Sequence, residues 1–129
     1  MRKYLLLLLV LALSFTTAFA ADENTIIIKT SKPVGTTVSL DAYTASKDEA
    51  FTVDWGDGEE KTYNVDPNGW GYSRRINTEI KGGTITIKGK LVNFDLTEAG
   101  ITSVDIHGQT ALKDINLEKN EIATFKQDG

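Results

Sequence analysis

Leu91-Val92-Asn93-Phe94-Asp95-Leu96 is followed by Ile101-Thr102-Ser103-Val104-Asp105-Ile106, then by Leu112-Lys113-Asp114-Ile115-Asn116-Leu117, and then by Ile122-Ala123-Thr124-Phe125. Each step has the form L-x-x-L-x-L, the last cut to its first two apolar positions, and alternate steps lie 21 residues apart (Leu91 to Leu112, Ile101 to Ile122). A self-similar period of roughly 20 to 50 residues marks a stacked solenoid. Helix is excluded, because positions i, i+3 and i+5 do not share one helical face and Gly100 and Gly108 interrupt the run. An ordinary β-meander with coincident spacing is the remaining alternative. Solenoids mostly bind other molecules, so the pattern points to recognition rather than catalysis.

A solenoid turn cannot bury its apolar face alone, and about three repeats with caps are the usual minimum. About two 21-residue turns are present between Leu91 and Gly129. Either the preceding residues cap one side and another chain covers the other, or the sequence is a truncated form of a longer repeat protein. An uncapped end also predicts self-association through unpaired edges and apolar side chains.

Working outward, the N-terminus carries Arg2 and Lys3, an apolar run from Leu5 to Leu13, and Ala18-Phe19-Ala20. A charged start, an apolar stretch of this length and an A-x-A site read as a secretory signal peptide over residues 1–20. Ser14, Thr16 and Thr17 interrupt the stretch, whereas spanning a bilayer needs about 20 mostly apolar residues. Of the 129 residues, 14 are basic and 18 acidic, a net charge of −4; loss of Arg2 and Lys3 leaves 12 against 18, or −6. That balance argues against nucleic acid and anionic membrane surfaces, where clustered positive charge supplies the attraction. No cysteine is present, so stability must come from burial, with no disulfide and no lipid-modified cysteine.

Between Thr25 and Lys90 short β-type runs alternate with turn residues: Thr25–Thr30, Thr36–Leu40, Ala50–Trp55, Tyr72–Ile80 and Thr84–Lys88. Such spacing predicts a small β-sandwich over residues 21–90, leading into the repeat segment at 91–129. Asp57-Gly58 predicts a two-residue hairpin turn. Asp54, Asp57, Glu59 and Glu60 offer oxygen donors for calcium, but their order fits no EF-hand loop, so the turn reading is preferred.

Phe51-Thr-Val-Asp-Trp-Gly-Asp-Gly58 with Gly82-Gly83-Thr84-Ile85-Thr86-Ile87-Lys88-Gly89 resembles PKD-like immunoglobulin-type domains. The stretch from Ile101 to Asn120 is similar to the 21-residue leucine-rich repeats of surface proteins from Bacteroidetes. In those repeats the ninth position of a step holds an amide bonded to neighbouring backbone; here it holds Ala99, Gln109 and Asn120. The resemblances imply an all-β chain, an Ig-like (PKD-like) β-sandwich continuing into a short leucine-rich-repeat β-solenoid. They also imply a secreted, periplasmic or cell-surface protein of a Gram-negative bacterium that adheres or binds without catalysis.

No catalytic set is apparent. His107 is the single histidine, with no G-x-S-x-G turn to supply a nucleophile, and a zinc site cannot be assembled from it. Asp66-Pro67-Asn68-Gly69 begins like a calcium loop but has Asn77 where a twelfth-position glutamate is needed. The chain is therefore expected to use no cofactor and no metal. For recognition, the outward positions Thr102, Asp105, Lys113, Asp114 and Asn116 would form a repeat face that contacts a protein partner. Trp70 and Tyr72, beside glycines, are the alternative: an exposed pair to stack on a glycan, unless Trp70 folds back over the sandwich.

Overall fold

The computed structural model describes residues 24–65, 72–109 and 111–128. The expected signal peptide and Trp70 lie outside them. Ten strands are described and no helix: β1 (Thr25–Thr30), β2 (Thr37–Thr44), β3 (Ala50–Asp54), β4 (Glu60–Asn64), β5 (Ser73–Glu79), β6 (Thr84–Lys88), β7 (Leu91–Asp95), β8 (Ile101–His107), β9 (Asp114–Asn116) and β10 (Thr124–Asp128). They form two sheets, A in the order β10-β8-β1-β6-β3-β4 and B in the order β5-β2-β7-β9.

Period-two patterning decides which face of each strand turns inward. In β2, Val38, Leu40, Ala42 and Thr44 are buried while Thr37 and Ser39 are exposed. In β6, Ile85 and Ile87 are buried between Thr84, Thr86 and Lys88. A strand half-covered by the opposite sheet needs this alternation, since adjacent side chains point to opposite faces. The resulting core joins Ile26, Ile28, Leu40, Phe51, Val53, Ile85 and Ile87 to Leu91, Phe94, Leu96, Ile101, Val104 and Ile106.

The Leu91–Phe125 steps do not build a solenoid among the described residues. Successive steps instead enter opposite sheets of the sandwich: β7 lies beside β2 in sheet B and β8 beside β1 in sheet A, both antiparallel. β9 then returns to sheet B parallel to β7, with Phe94 opposite Ile115. β10 joins sheet A parallel to β8, with Val104 opposite Phe125. The 21-residue period is thus realised as the offset of two parallel strand pairs. The physical reason is that an L-x-x-L-x-L step is long enough to make one strand and cross to the other sheet. Two steps are needed to come back.

Residues 55–59 form a five-residue loop rather than the expected two-residue turn, because β3 and β4 close on the pair Asp54–Glu60. Gly56 (φ 116°) and Gly58 (φ 83°) take the left-handed conformations. Asp54 Oδ1 accepts from the Gly56 and Gly58 amides at 2.9 and 3.0 Å, so its carboxylate is committed to the turn. Gly56 also packs directly on Gly82, where a Cβ would lie 2.2 Å from the Gly82 nitrogen. Trp55 is 2 % exposed, its indole N–H donating to the Tyr63 hydroxyl at 3.0 Å.

Candidate functional site

The outer face of sheet B is a grid of polar side chains. Strand pairing places Arg75, Asp41, Asp95 and Asn116 in one row across β5, β2, β7 and β9, and Ser73, Tyr43, Asn93 and Asp114 in the next. Rows of this kind repeat about 4.8 Å from strand to strand. The inward neighbours Leu40, Ala42 and Phe94 are buried, which fixes the grid residues outward. Rigid strands, not loops, therefore hold these groups.

At the β2–β7–β9 end the grid dips into a depression of about 410 Å³ lined by Tyr43, Asn93, Phe94, Asp95, Asp114, Ile115 and Asn116. Side-chain contacts run along the first row beside it. Arg75 grips Asp41 with two bonds, Nε to Oδ1 at 2.8 Å and Nη2 to Oδ2 at 2.9 Å. Asn116 Nδ2 leans on Asp95 Oδ2 at 3.4 Å, while Asn116 Oδ1 accepts from the Glu118 amide at 3.1 Å. Partial burial, and then the negative charge of Asp41, hold the Asp95 carboxyl above its ordinary value; Arg75 and Asn116 pull the other way. Arg75 is held more firmly protonated by Asp41.

No family model, curated protein or solved structure matches the chain. Its chemistry must be read from the site itself.

The residues singled out in the sequence do not share one surface. Asp114 and Asn116 belong to the sheet B depression. Asp105 lies on the outer face of sheet A, where His107 Nε2 is 3.0 Å from its Oδ1 and Lys126 is its neighbour in register. Thr102 lines a different hollow of about 320 Å³ at the turns, with Ser31, Lys32, Glu98, Lys119 and Asn120. Lys113 is exposed just before β9, its amide donating to the Val92 carbonyl. Tyr72 is 47 % exposed beside β5, its carbonyl accepting from the Thr44 amide. The expected single repeat face is thereby replaced by two opposite faces, because successive steps alternate between sheets.

Tyr43, Asp41, Arg75, Asn93 and Asp95 were not anticipated from the sequence. A signal existed for them: Asp41 and Tyr43 alternate with Leu40 and Ala42, and Asn93 and Asp95 flank Phe94, so each sits opposite a core position. Among the described residues no group of three His, Cys, Asp or Glu is placed to hold a metal ion. What the grid can do is accept and donate hydrogen bonds through paired amides and carboxylates beside one aromatic ring.

Proposed function

We propose that this protein is a non-catalytic, extracytoplasmic binding module that holds a hydroxyl-rich ligand, a glycan chain, on the outer face of sheet B. The observation that carries the reading is the depression around Tyr43, where Asn93, Asp95, Asp114 and Asn116 come together on four adjacent positions of two paired strands. Asn and Asp side chains present two polar atoms each, which suits adjacent sugar hydroxyls, and a tyrosine ring offers an apolar face for a pyranose. Protein-binding surfaces, by contrast, concentrate aromatic residues and arginine and are depleted of Asp at their centre. Adhesion through a protein partner is accordingly the weaker form of the same reading. The expected export supports it as well, since extracytoplasmic modules meet glycans.

The turn from Asp54 to Gly58 and the glycine-led strand Thr84–Lys88 support a PKD-like ancestry for the sandwich. The 21-residue offset of β7 from β9 and of β8 from β10 supports a leucine-rich-type origin for the later strands.

The test is calorimetric titration of the purified protein with a panel of soluble polysaccharides and oligosaccharides, alongside Tyr43→Ala, Asn116→Ala and, on the opposite sheet, Asp105→Ala. Saturable binding that weakens at least about tenfold (about 1.4 kcal/mol) in the first two and persists in the third is the expected result. Binding that survives Tyr43→Ala, or that follows Asp105 instead, would remove sheet B as the site.

A further inference from the structure

The two ends of the sandwich are finished differently. At the β4–β5 end the protein covers itself: Tyr63 stacks on Phe51 with ring centroids 5.7 Å apart and accepts the Trp55 indole N–H. The edge strands there are blunted by exposed charge, Glu60 and Lys61 on β4 and Arg74, Arg75 and Glu79 on β5. Charged edges of this kind resist pairing with another chain.

At the β9–β10 end the same positions are left open. Leu91, Phe94, Leu96, Ile101 and Val104 are all 0 or 1 % exposed. Their counterparts 21 residues on are not sealed: Leu112, Ile115, Leu117 and Ile122 are half-buried, and Phe125 is 48 % exposed although it repeats Val104 in register. The later turn thus covers the earlier one, and among the described residues nothing covers the later turn. Both sheets also end here in an edge, since β9 pairs with β7 alone and β10 with β8 alone among the described strands.

We propose that this end is a self-association surface, on which two copies of the chain pack about a two-fold axis running perpendicular to the sheets. The strand β10 then lies antiparallel to β10 of the second copy and β9 to β9, so both sheets continue across the contact. Three features favour a second copy as occupant. An apolar strip between two free strand edges complements its own image, as an isologous contact requires. The register that sets Phe125 opposite Phe125 of the second copy also sets Lys126 opposite Thr124, so an aromatic pair forms and no like charges meet. Among the described side chains flanking the two edge strands, exposed Lys113, Lys119 and Lys126 alternate with exposed Asp114, Glu118 and Glu121, so charges of both signs are available to pair across the contact. The contact comprises two short edges, of three and five residues, and five apolar side chains, so the dimer is expected to be weak and reversible.

Sedimentation velocity across roughly 5 µM to 500 µM spans the range expected of so small a contact. The expected result is a weight-average mass that climbs toward twice that of one chain, and a Phe125→Lys variant that stays at the mass of one. Because the chain has no cysteine, a single Phe125→Cys substitution gives a second, independent readout. It should form a copy-to-copy disulfide on mild oxidation, while Thr62→Cys on the β4 edge should not. If Phe125→Lys lowers the melting temperature so far that the variant unfolds, the two cysteine variants decide alone. A single-copy mass throughout, association that ignores Phe125→Lys, a ladder of masses beyond two, or equal cross-linking from Thr62→Cys would each overturn the proposal.

Discussion

Replacing Asn120 by alanine should damage this fold more than any other exchange of a half-buried polar side chain. Asn120 Oδ1 accepts from the backbone amides of Ala99 and Ile101 at 2.9 and 3.0 Å, and its Nδ2 donates to the carbonyls of Leu96, Leu117 and Glu118 at 3.0, 2.9 and 3.2 Å. One side chain therefore stitches the turn after β7 to the turn after β9. Ala99 and Ile101 are 1 and 0 % exposed, so without Asn120 their N–H groups lose an acceptor where bulk water is scarce. A buried donor left without its partner costs about 1–3 kcal/mol, which gives about 2–6 for the pair. The neighbouring hollow around Lys32 and Lys119 admits some water, which places the value in the lower half, about 3 kcal/mol.

For a domain of about 100 residues, 3 kcal/mol corresponds to a fall in melting temperature of roughly 12–24 °C. Far-ultraviolet circular dichroism during thermal and urea denaturation measures it. Asn116→Ala is the control, since the Asn116 side chain makes a long, part-buried contact with Asp95 at 3.4 Å and an exposed one with the Glu118 amide, and should cost less than about 1 kcal/mol. Equal losses in the two variants, or a loss below about 1 kcal/mol for Asn120→Ala, would refute the reasoning that one amide holds successive turns together.

Three further outcomes follow from other contacts. Gly56→Ala places a Cβ 2.2 Å from the Gly82 nitrogen at a φ of 116°, so it should cost more than about 3 kcal/mol and show as lost soluble expression or a collapsed melting temperature. Asp54→Ala removes the acceptor of the Gly56 and Gly58 amides in a largely exposed turn and should cost about 1–2 kcal/mol, while calcium should leave the wild-type melting temperature unchanged. Asp95 has a folded-state pKa raised by burial and by Asp41, so the folded chain binds its proton more tightly than the unfolded chain. Stability then falls as the pH rises from the ordinary carboxylate value of 3.8 through the raised one; Asp95→Asn should be more stable than wild type at pH 7 and flatten that slope in a pH series of melting curves.

How much of this could be read from the residues follows from how local each signal is. The strands Thr25–Thr30 and Thr84–Lys88 coincide with their β-branched runs, and β2 and β3 overlap theirs, because alternation is written within each segment. The strand Glu60–Asn64 escaped, since Glu-Lys-Thr-Tyr-Asn on an exposed edge buries only part of Tyr63 and has no alternation to display. The L-x-x-L-x-L steps gave the strands and their 21-residue return but not the partition into two sheets. A period counts residues; it does not say on which side of the core each strand lies. That was decided by pairings such as Ile26 with Ile106 and Ala42 with Phe94, which join segments far apart in the chain. Two of the three ninth positions carry an amide bonded to backbone: Gln109 Oε1 accepts from the Leu91 amide at 3.3 Å and its Nε2 donates to the Gly89 carbonyl at 2.8 Å, Asn120 bonds backbone one step later, and Ala99 has no side-chain amide to offer.

The alternation between sheets also determines where a recognition surface can lie. Residues ten or eleven apart, such as Asp95 and Asp105, are separated by the whole core, whereas residues 21 apart are neighbours on one face. Asn93 and Asp95 on β7 are therefore repeated by Asp114 and Asn116 on β9, amide for carboxylate and carboxylate for amide. Across β7 and β9 each carboxylate faces an amide rather than its own kind, whereas on the β2 side Asp95 faces the Asp41 carboxylate, which Arg75 grips. A face built this way grows by one polar pair for every full turn of the period, and Tyr43 on the antiparallel neighbour β2 closes it on the other side. The grouping of Tyr43, Asn93, Asp95, Asp114 and Asn116 is thus a consequence of the repeat entering a sandwich.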